Sequence, residues 1–159
     1  LWGACRPSAR LNIRPASQRE FVYKYVVMLS DADQFQHMSF ANYLRLMFLA
    51  TDALLMPTMD ATFMAHCRLQ LKNSRMQFKK QSVSGDEILI KTNAAQLEEY
   101  GFSLIYTFIA ENTGELIALG HQSFESRSVD EDIICSLPPV VRPLLKTIEV
   151  DEEHLLYKY

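Results

Sequence analysis

No uninterrupted apolar run in this chain is long enough to cross a bilayer, and residues 1–19 lack the compact apolar stretch of a secretory signal. Neither a membrane span nor secretion by that route is expected. Cysteine is scarce: Cys5, Cys67 and Cys135 stand far apart, without the C-x-x-C pairing that zinc sites and redox motifs use. The expectation is no metal, no cofactor and a reducing compartment, the cytoplasm. Charge of one sign is not in excess either, since 16 Lys and Arg against 19 Asp and Glu leave −3. Such a balance gives no general pull toward phosphate backbones or anionic lipid. Lys72, Arg75, Lys79 and Lys80 make only a modest basic patch, so neither nucleic acid nor a membrane surface is expected as a partner. Ser123 and Ser126 lack a Gly-x-Ser-x-Gly elbow, which excludes a serine hydrolase of that type. Internal repeats and low-complexity tracts are absent.

What is present suits one soluble domain with a substantial core. The 159 residues are 48% hydrophobic, 11% aromatic and 22% charged, which leaves no room for a second domain. Residues 1–19 mix Pro7, Pro15, Gly3 and scattered arginines without periodicity, and read as a disordered leader or a processed N-terminus. Arg6, Arg10, Arg14 and Arg19 suit a transit-peptide remnant less well than an ordinary irregular start. The domain is expected over residues 20–150, followed by an acidic-aromatic tail over 151–159.

Within the domain, residues 21–29 are rich in β-branched and aromatic side chains and predict a strand. Ser39 is a candidate N-cap for a helix over residues 40–55, which Pro57 ends. That helix is apolar on nearly every face, with Arg45, Thr51 and Asp52 as its main polar interruptions, so burial on almost all sides is expected. Residues 67–81, 87–97, 101–110 and 115–127 read as strands in meander order, separated by turn signals at Ser84-Gly85-Asp86, Glu98-Glu99-Tyr100-Gly101 and Asn112-Thr113-Gly114. Phe102, Leu104, Tyr106 and Phe108 share one face, Ser103, Ile105, Thr107 and Ile109 the other. Both faces are therefore expected to be partly covered, one by the helix and one by a partner subunit. A short helical stretch is expected over 140–148. A strand, a buried helix and four long strands are best reconciled as an α+β hot-dog fold, a long central helix wrapped by a curved antiparallel sheet.

Chemistry concentrates between residues 31 and 45. Asp31, Asp33 and His37 sit in a short loop feeding the start of the helix. The N–H groups and positive dipole end of such a helix can polarise a carbonyl oxygen, while a carboxylate beside them attacks the carbonyl or activates water. The same residues also suit simple capping, because an Asp before a helix commonly satisfies its first amides. His66 and His121 lie in strand-like segments with no spacing that joins them into a metal site, and the seven methionines are twice as well explained by a core as by a pocket lining.

The run Asp-x-Asp-x-x-x-His-Met from Asp31 to Met38, with Asn42-Tyr43-Leu44-Arg45 behind it, resembles the signature of hot-dog acyl thioesterases of the 4-hydroxybenzoyl-CoA thioesterase type. Downstream, Phe78 and Val83-Ser84-Gly85-Asp86-Glu87-Ile88 are similar to that family's aromatic strand and G-D-E turn, so the resemblance spans residues 21–127. It implies thioester hydrolysis with Asp33 as nucleophile or general base. The Gln36-His37 pair resembles the order in plant acyl-carrier-protein thioesterases and implies an assisting role for His37. Backbone N–H groups from Met38 to Ala41 would hold the oxyanion, Asn42 and Tyr43 would shape the pocket, and Lys79 and Lys80 would meet coenzyme A or an acidic acyl carrier protein. Hot-dog relatives build such sites between subunits, which implies a homodimer or homotetramer.

The chain departs from the pattern in several places. Gln36 replaces a frequent Gly, Ser39 and Phe40 an Asn-Asn pair, and Phe48 stands where bacterial relatives often carry a helix-borne Glu. Phe35 stands where the plant enzymes place Asn, and Glu98 and Glu99 where basic residues grip coenzyme A. These departures keep two rivals in view: a non-catalytic acyl-thioester binding domain and a hot-dog dehydratase.

Overall fold

The computed structural model describes residues 10–13, 20–32, 38–60, 65–150 and 155–158. In chain order the elements are β1 (Arg10–Ile13), β2 (Phe21–Val26), α1 (Phe40–Leu55), β3 (Cys67–Phe78), β4 (Glu87–Ala95), β5 (Gly101–Ala110), β6 (Leu116–Ser128), α2 (Val141–Lys146) and β7 (Leu155–Lys158). Helix α1 contains neither Pro nor Gly and starts behind an extended Ser39. It gives way to a single 3-10 turn, Met56–Thr58, because Pro57 has no N–H to continue the ladder.

An antiparallel five-stranded sheet has the order β2-β4-β5-β6-β3. This corrects the meander read from the sequence. Strand β3 pairs with β6 rather than with β4, from Cys67 opposite Ser128 to Phe78 opposite Ala118. The connection over residues 79–86 therefore carries the chain from one edge of the sheet toward the other. On the way it is tied down by backbone bonds from Met38 N to Ser82 O at 2.8 Å and from Gly85 N to Val27 O at 2.8 Å. Gly85 turns the chain with φ at +92°, a backbone conformation that favours glycine.

Helix α1 rests on one face of this sheet, the hot-dog arrangement. Leu46, Met47, Ala50 and Leu54 of the helix join Phe102, Leu104, Tyr106 and Phe108 of β5 and Ala118 and Phe124 of β6 in one core. Each fully buried Leu or Met there contributes about 1.5–3 kcal/mol of transfer free energy. Gly120 permits the close approach: a Cβ at that position would stand 2.5 Å from Met47 Sδ. Helix α2 adds Val141 and Leu145 to the same core, and residues 137–150 are tethered to the sheet by Leu137 N to Glu99 O at 3.0 Å and Val150 N to Ala94 O at 2.8 Å. Glu98 and Glu99 thus serve as backbone anchors for this closing segment, with Arg142 donating to Glu98 O at 2.7 Å.

The expectation of a helix buried all round is overturned. Phe40 and Phe48 are 41% and 42% exposed, and Arg45 and Asp52 are exposed beside them. The physical reason is that α1 meets the sheet along one face only, so Arg45 and Asp52 on its far side have no strand to cover them, and Phe40, at the border, is covered only in part by Phe78 of β3. The outer face of the sheet is covered in part within the single chain, with Thr107 and Ile109 half-buried. Ile105, Ser103 and His121 there are 1%, 2% and 3% exposed within the single chain. At the two ends, where only irregular chain was expected, β1 and β7 pair antiparallel as a separate ribbon, Arg10 opposite Lys158 and Ile13 opposite Leu155.

His121 lies opposite Arg75 of β3 and Ile105 of β5. Burial first, and the Arg75 charge second, push its imidazole down to about 4. The folded state therefore holds it neutral, while the unfolded chain protonates it near its ordinary value of about 6.5. Stability is fully present above that value and is lost as pH falls toward 4, by about 2 kcal/mol at pH 5. Urea unfolding at pH 7 and pH 5 should show this loss in the parent chain and a much smaller one in His121→Gln.

Candidate active site

The start of α1 is held by a clamp that begins with Asp31. The carboxylate of Asp31 is buried and accepts hydrogen bonds from Tyr25 Oη at 2.6 Å and from Met28 N at 2.8 Å. Its backbone carbonyl accepts from Ser39 N at 3.1 Å and from Asn42 Nδ2 at 2.7 Å. Ala32 and Met38 form an antiparallel bridge one step further in. Ala32 and Met38 are thereby held together beside the start of α1. Asp33 and His37, with Gln36 and Phe35, lie outside the described residues.

The other wall of the clamp is the crossing segment. Met38 N bonds to Ser82 O, and the buried Tyr43 hydroxyl donates to Ser82 Oγ at 3.1 Å. Tyr43 also packs edge-on against Phe78, ring centroids 4.8 Å apart, and against Phe108 at 5.6 Å. Phe40 meets Phe78 at 5.6 Å. Burial, above all, raises the Tyr43 phenol above its ordinary range and keeps it a neutral donor. Ser39 occupies the N-cap position, yet its Oγ takes the Asn42 side chain at 3.1 Å, and no side chain caps α1 among the described residues. The backbone amides correct the expected oxyanion donors at two positions: Met38 N donates to Ser82 O at 2.8 Å and Ser39 N to Asp31 O at 3.1 Å, because both residues are tied into the clamp.

Of the residues singled out in the sequence, Met38, Asn42 and Tyr43 come together in this frame. Met38 and Tyr43 are buried, 6% and 2% exposed, and Asn42 ties Ser39 to Asp31. Lys79 and Lys80 follow Phe78 directly on the rim and are exposed, with Lys80 Nζ 2.6 Å from Glu115. Sequence reasoning missed Tyr25, Ser82 and the structural task of Asp31. Asp31 stood in the motif, but its partners come from the end of β2 and were invisible locally; Ser82 acts only because residues 79–86 cross the sheet. Arg45 turns to Tyr25 Oη at 3.4 Å and Asp31 at 3.8 Å rather than to Asp52, its neighbour on the helix face.

A separate cavity of about 590 Å³ lies near residue 66, lined in part by Asp60, His66, Cys67, Cys135 and Leu137. Ser126 Oγ lies 2.9 Å from Cys67 Sγ and 3.4 Å from Cys135 Sγ. Burial raises the Cys67 thiol above its ordinary range, so it is held protonated and is a poor nucleophile. Among the described residues no cluster of His, Cys, Asp and Glu suits a metal ion, and no helix is long and apolar enough to cross a membrane.

Residues 27–145 match the family described as the thioesterase-like superfamily. The chain belongs to that superfamily. Solved structures agree in fold with this thioesterase-like chain. The dynemicin thioesterase, crystallised in a study of polyene binding, superposes with a TM-score of 0.77 at 18% identity over 83% of this chain and 99% of its own. Slr0204, a 1,4-dihydroxy-2-naphthoyl-CoA thioesterase from Synechocystis, gives 0.74 at 18% identity over 80% and 96%. The protein SAV2348 from Staphylococcus aureus, solved in complex with CoA, gives 0.74 at 13% identity over 84% and 89%. No curated protein matches.

In this thioesterase-like chain the clamp predicts an order of mutational costs. Asp31→Ala strands a buried hydroxyl and a backbone amide, and should cost about 2 kcal/mol in urea unfolding. Arg45→Ala, at an exposed side chain 3.8 Å from the same carboxylate, should cost far less. Equal costs would show that the ion pair, and not the hydrogen bonds, holds the clamp.

Proposed function

We propose that the chain hydrolyses an acyl-CoA thioester at the start of α1, with Asp33 as nucleophile or general base and His37 assisting. The observation that carries this reading is the engagement of Asp31. Two carboxylates stand in the Asp-x-Asp motif, and one of them is spent on Tyr25 and Met28. Asp33, the motif's other carboxylate, falls between Ala32 and Met38, which bridge each other beside a helix start that has no side-chain cap among the described residues, and is the one assigned to the chemistry. Phe48 and the exposed Asp52 supply no acid along α1 at the position where bacterial relatives often carry Glu.

In this mechanism the thioester carbonyl lies against the backbone N–H groups at the start of α1, which stabilise the charge that develops on its oxygen. The Asp33 carboxylate attacks the carbonyl carbon and expels the thiolate, leaving a mixed anhydride that water then cleaves to free acid and Asp33, or it takes a proton from a water that attacks the carbonyl directly. In both cases the C–S bond breaks and the sulfur leaves as a protonated thiol. His37 orients Asp33 or relays the proton to the leaving sulfur. Met38, Asn42 and Tyr43 fix the helix start, and the exposed Lys79 meets the carrier, with Lys80 beside it.

Coenzyme A is the favoured carrier because relatives of this fold are a naphthoyl-CoA thioesterase and a protein solved with CoA. An acyl carrier protein is the second reading, supported by the exposed lysines on the rim. A homodimer or homotetramer is part of the proposal. The exposed Phe40, Phe48 and Met56 on one side of α1, and β3 as a sheet edge, are the surfaces that support it. The free thiols of Cys67 and Cys135 support a reducing, cytoplasmic setting.

Thiol release from a panel of acyl-CoA and acyl-carrier substrates tests the reading. Asp33→Asn should lower kcat by roughly 10²–10⁴-fold with unchanged thermal stability. Turnover that survives the substitution removes Asp33 from the mechanism; water loss instead of thiol release points to a dehydratase, and binding without turnover to a carrier domain.

A further inference from the structure

Beneath α1 runs a chain of polar groups that the mechanism above does not use. Thr51 of α1, Tyr106 of β5, Gln122 of β6 and Ser74 of β3 lie in a row across the inner face of the sheet. Thr51 Oγ1 stands 2.5 Å from Tyr106 Oη, the Tyr106 hydroxyl donates to Gln122 Oε1 at 3.1 Å, and Gln122 Nε2 donates to Ser74 Oγ at 3.2 Å. Tyr106 and Gln122 are fully buried, whereas Ser74 is exposed. Apolar residues of similar size would fill the same core without the cost of desolvating an amide and a phenol.

Thr51 Oγ1 also donates to Met47 O at 2.8 Å, and the donors run outward from Tyr106. Tyr106 spends its proton on Gln122, and Gln122 spends an N–H on Ser74, so Ser74 Oγ is an acceptor within the row and keeps its own proton for a group outside it. The row therefore opens at one hydroxyl on the surface. That hydroxyl is well placed relative to the start of α1. Ser74 and Phe78 face inward on β3, opposite Gln122 and Ala118, and the separation of four residues corresponds to about 13 Å of strand. Phe78 packs on Phe40, the first residue of α1. Phe40, Leu44 and Phe48 recur every fourth residue and share a helix face, and Phe48 lies one turn from Thr51. An apolar strip, still exposed at Phe40 and Phe48, thus leads from the helix start toward Ser74.

We propose that Ser74, backed by Gln122, Tyr106 and Thr51, is the distal specificity site for the acyl group. The acyl chain follows the Phe40-Leu44-Phe48 strip, and an oxygen at its far end, about 13 Å along β3 from Phe78 at the helix start, accepts the Ser74 proton. The ligand class is an acyl thioester whose medium-length chain ends in a hydroxyl. A single ring attached to the carbonyl is too short to reach. This inference rests on the reading that places the thioester at the start of α1.

Calorimetry on the Asp33→Asn chain, which measures binding apart from turnover, compares decanoyl-CoA, ω-hydroxydecanoyl-CoA and 4-hydroxybenzoyl-CoA. The ω-hydroxy ligand should bind about tenfold tighter than decanoyl-CoA. Ser74→Ala should erase that ratio, and Ser74→Thr, which restores the hydroxyl, should keep it. Equal affinities in the parent, a ratio unmoved by Ser74→Ala, a ratio lost in Ser74→Thr as well, or tightest binding of the benzoyl ligand would each overturn the proposal while leaving the thioester reading standing. If none of the three binds, the thioester reading fails and the distal site fails with it.

Discussion

The site depends on a buried carboxylate that accepts two hydrogen bonds immediately before a helix. Asp31 takes the Tyr25 hydroxyl and the Met28 amide, and in doing so fixes where the chain leaves β2 and where it enters α1. Its own carbonyl then receives Ser39 N and the Asn42 side chain. An unmatched carboxylate in that place would be costly to bury, so the sequence that supplies Asp31 must also supply its donors. The cluster joins residues from β2, from the loop and from the first turn of the helix into one unit. Its consequence is positional: Ala32 and Met38 bridge each other at the positive pole of α1.

A second constraint comes from topology. Because β3 pairs with β6 and not with β4, residues 79–86 must travel from one side of the sheet to the other, and they pass the start of the helix to do so. Ser82 receives the Met38 amide and the Tyr43 hydroxyl there. Local order at the site is thus a product of strand order, and the aromatic contacts of Tyr43 with Phe78 and Phe108 transmit it into the core. Gly120 plays the matching part beneath the helix, since any larger residue would press on Met47.

Much of this was legible in the residues. The bounds of α1 and β5 follow from uninterrupted apolar and alternating patterns, and the inward set Phe102, Leu104, Tyr106 and Phe108 follows from period two. The motif around Asp31 was visible as a loop feeding the start of α1, where the clamp is found. What could not be read was anything decided by distant partners. Hairpin signals at Gly85 suggested that β3 and β4 are neighbours, but pairing is settled by whichever edge is free, and β2 occupies that edge of β4. The composition of α1 suggested burial all round; hydrophobicity states what a face tolerates, not what lies against it, and Phe48 is exposed. Asp31 was visible as an acid and invisible as an anchor, because its phenol partner sits on another element.

A crystal structure of the chain with a non-hydrolysable acyl-CoA analogue tests the central claim most directly. The account predicts the carbonyl oxygen of the analogue about 3 Å from backbone N–H groups in the first turn of α1, with the Asp33 carboxylate on the carbonyl carbon and Asp31 still bonded to Tyr25. A carbonyl bound elsewhere, or Asp31 turned toward the analogue in place of Asp33, would contradict it.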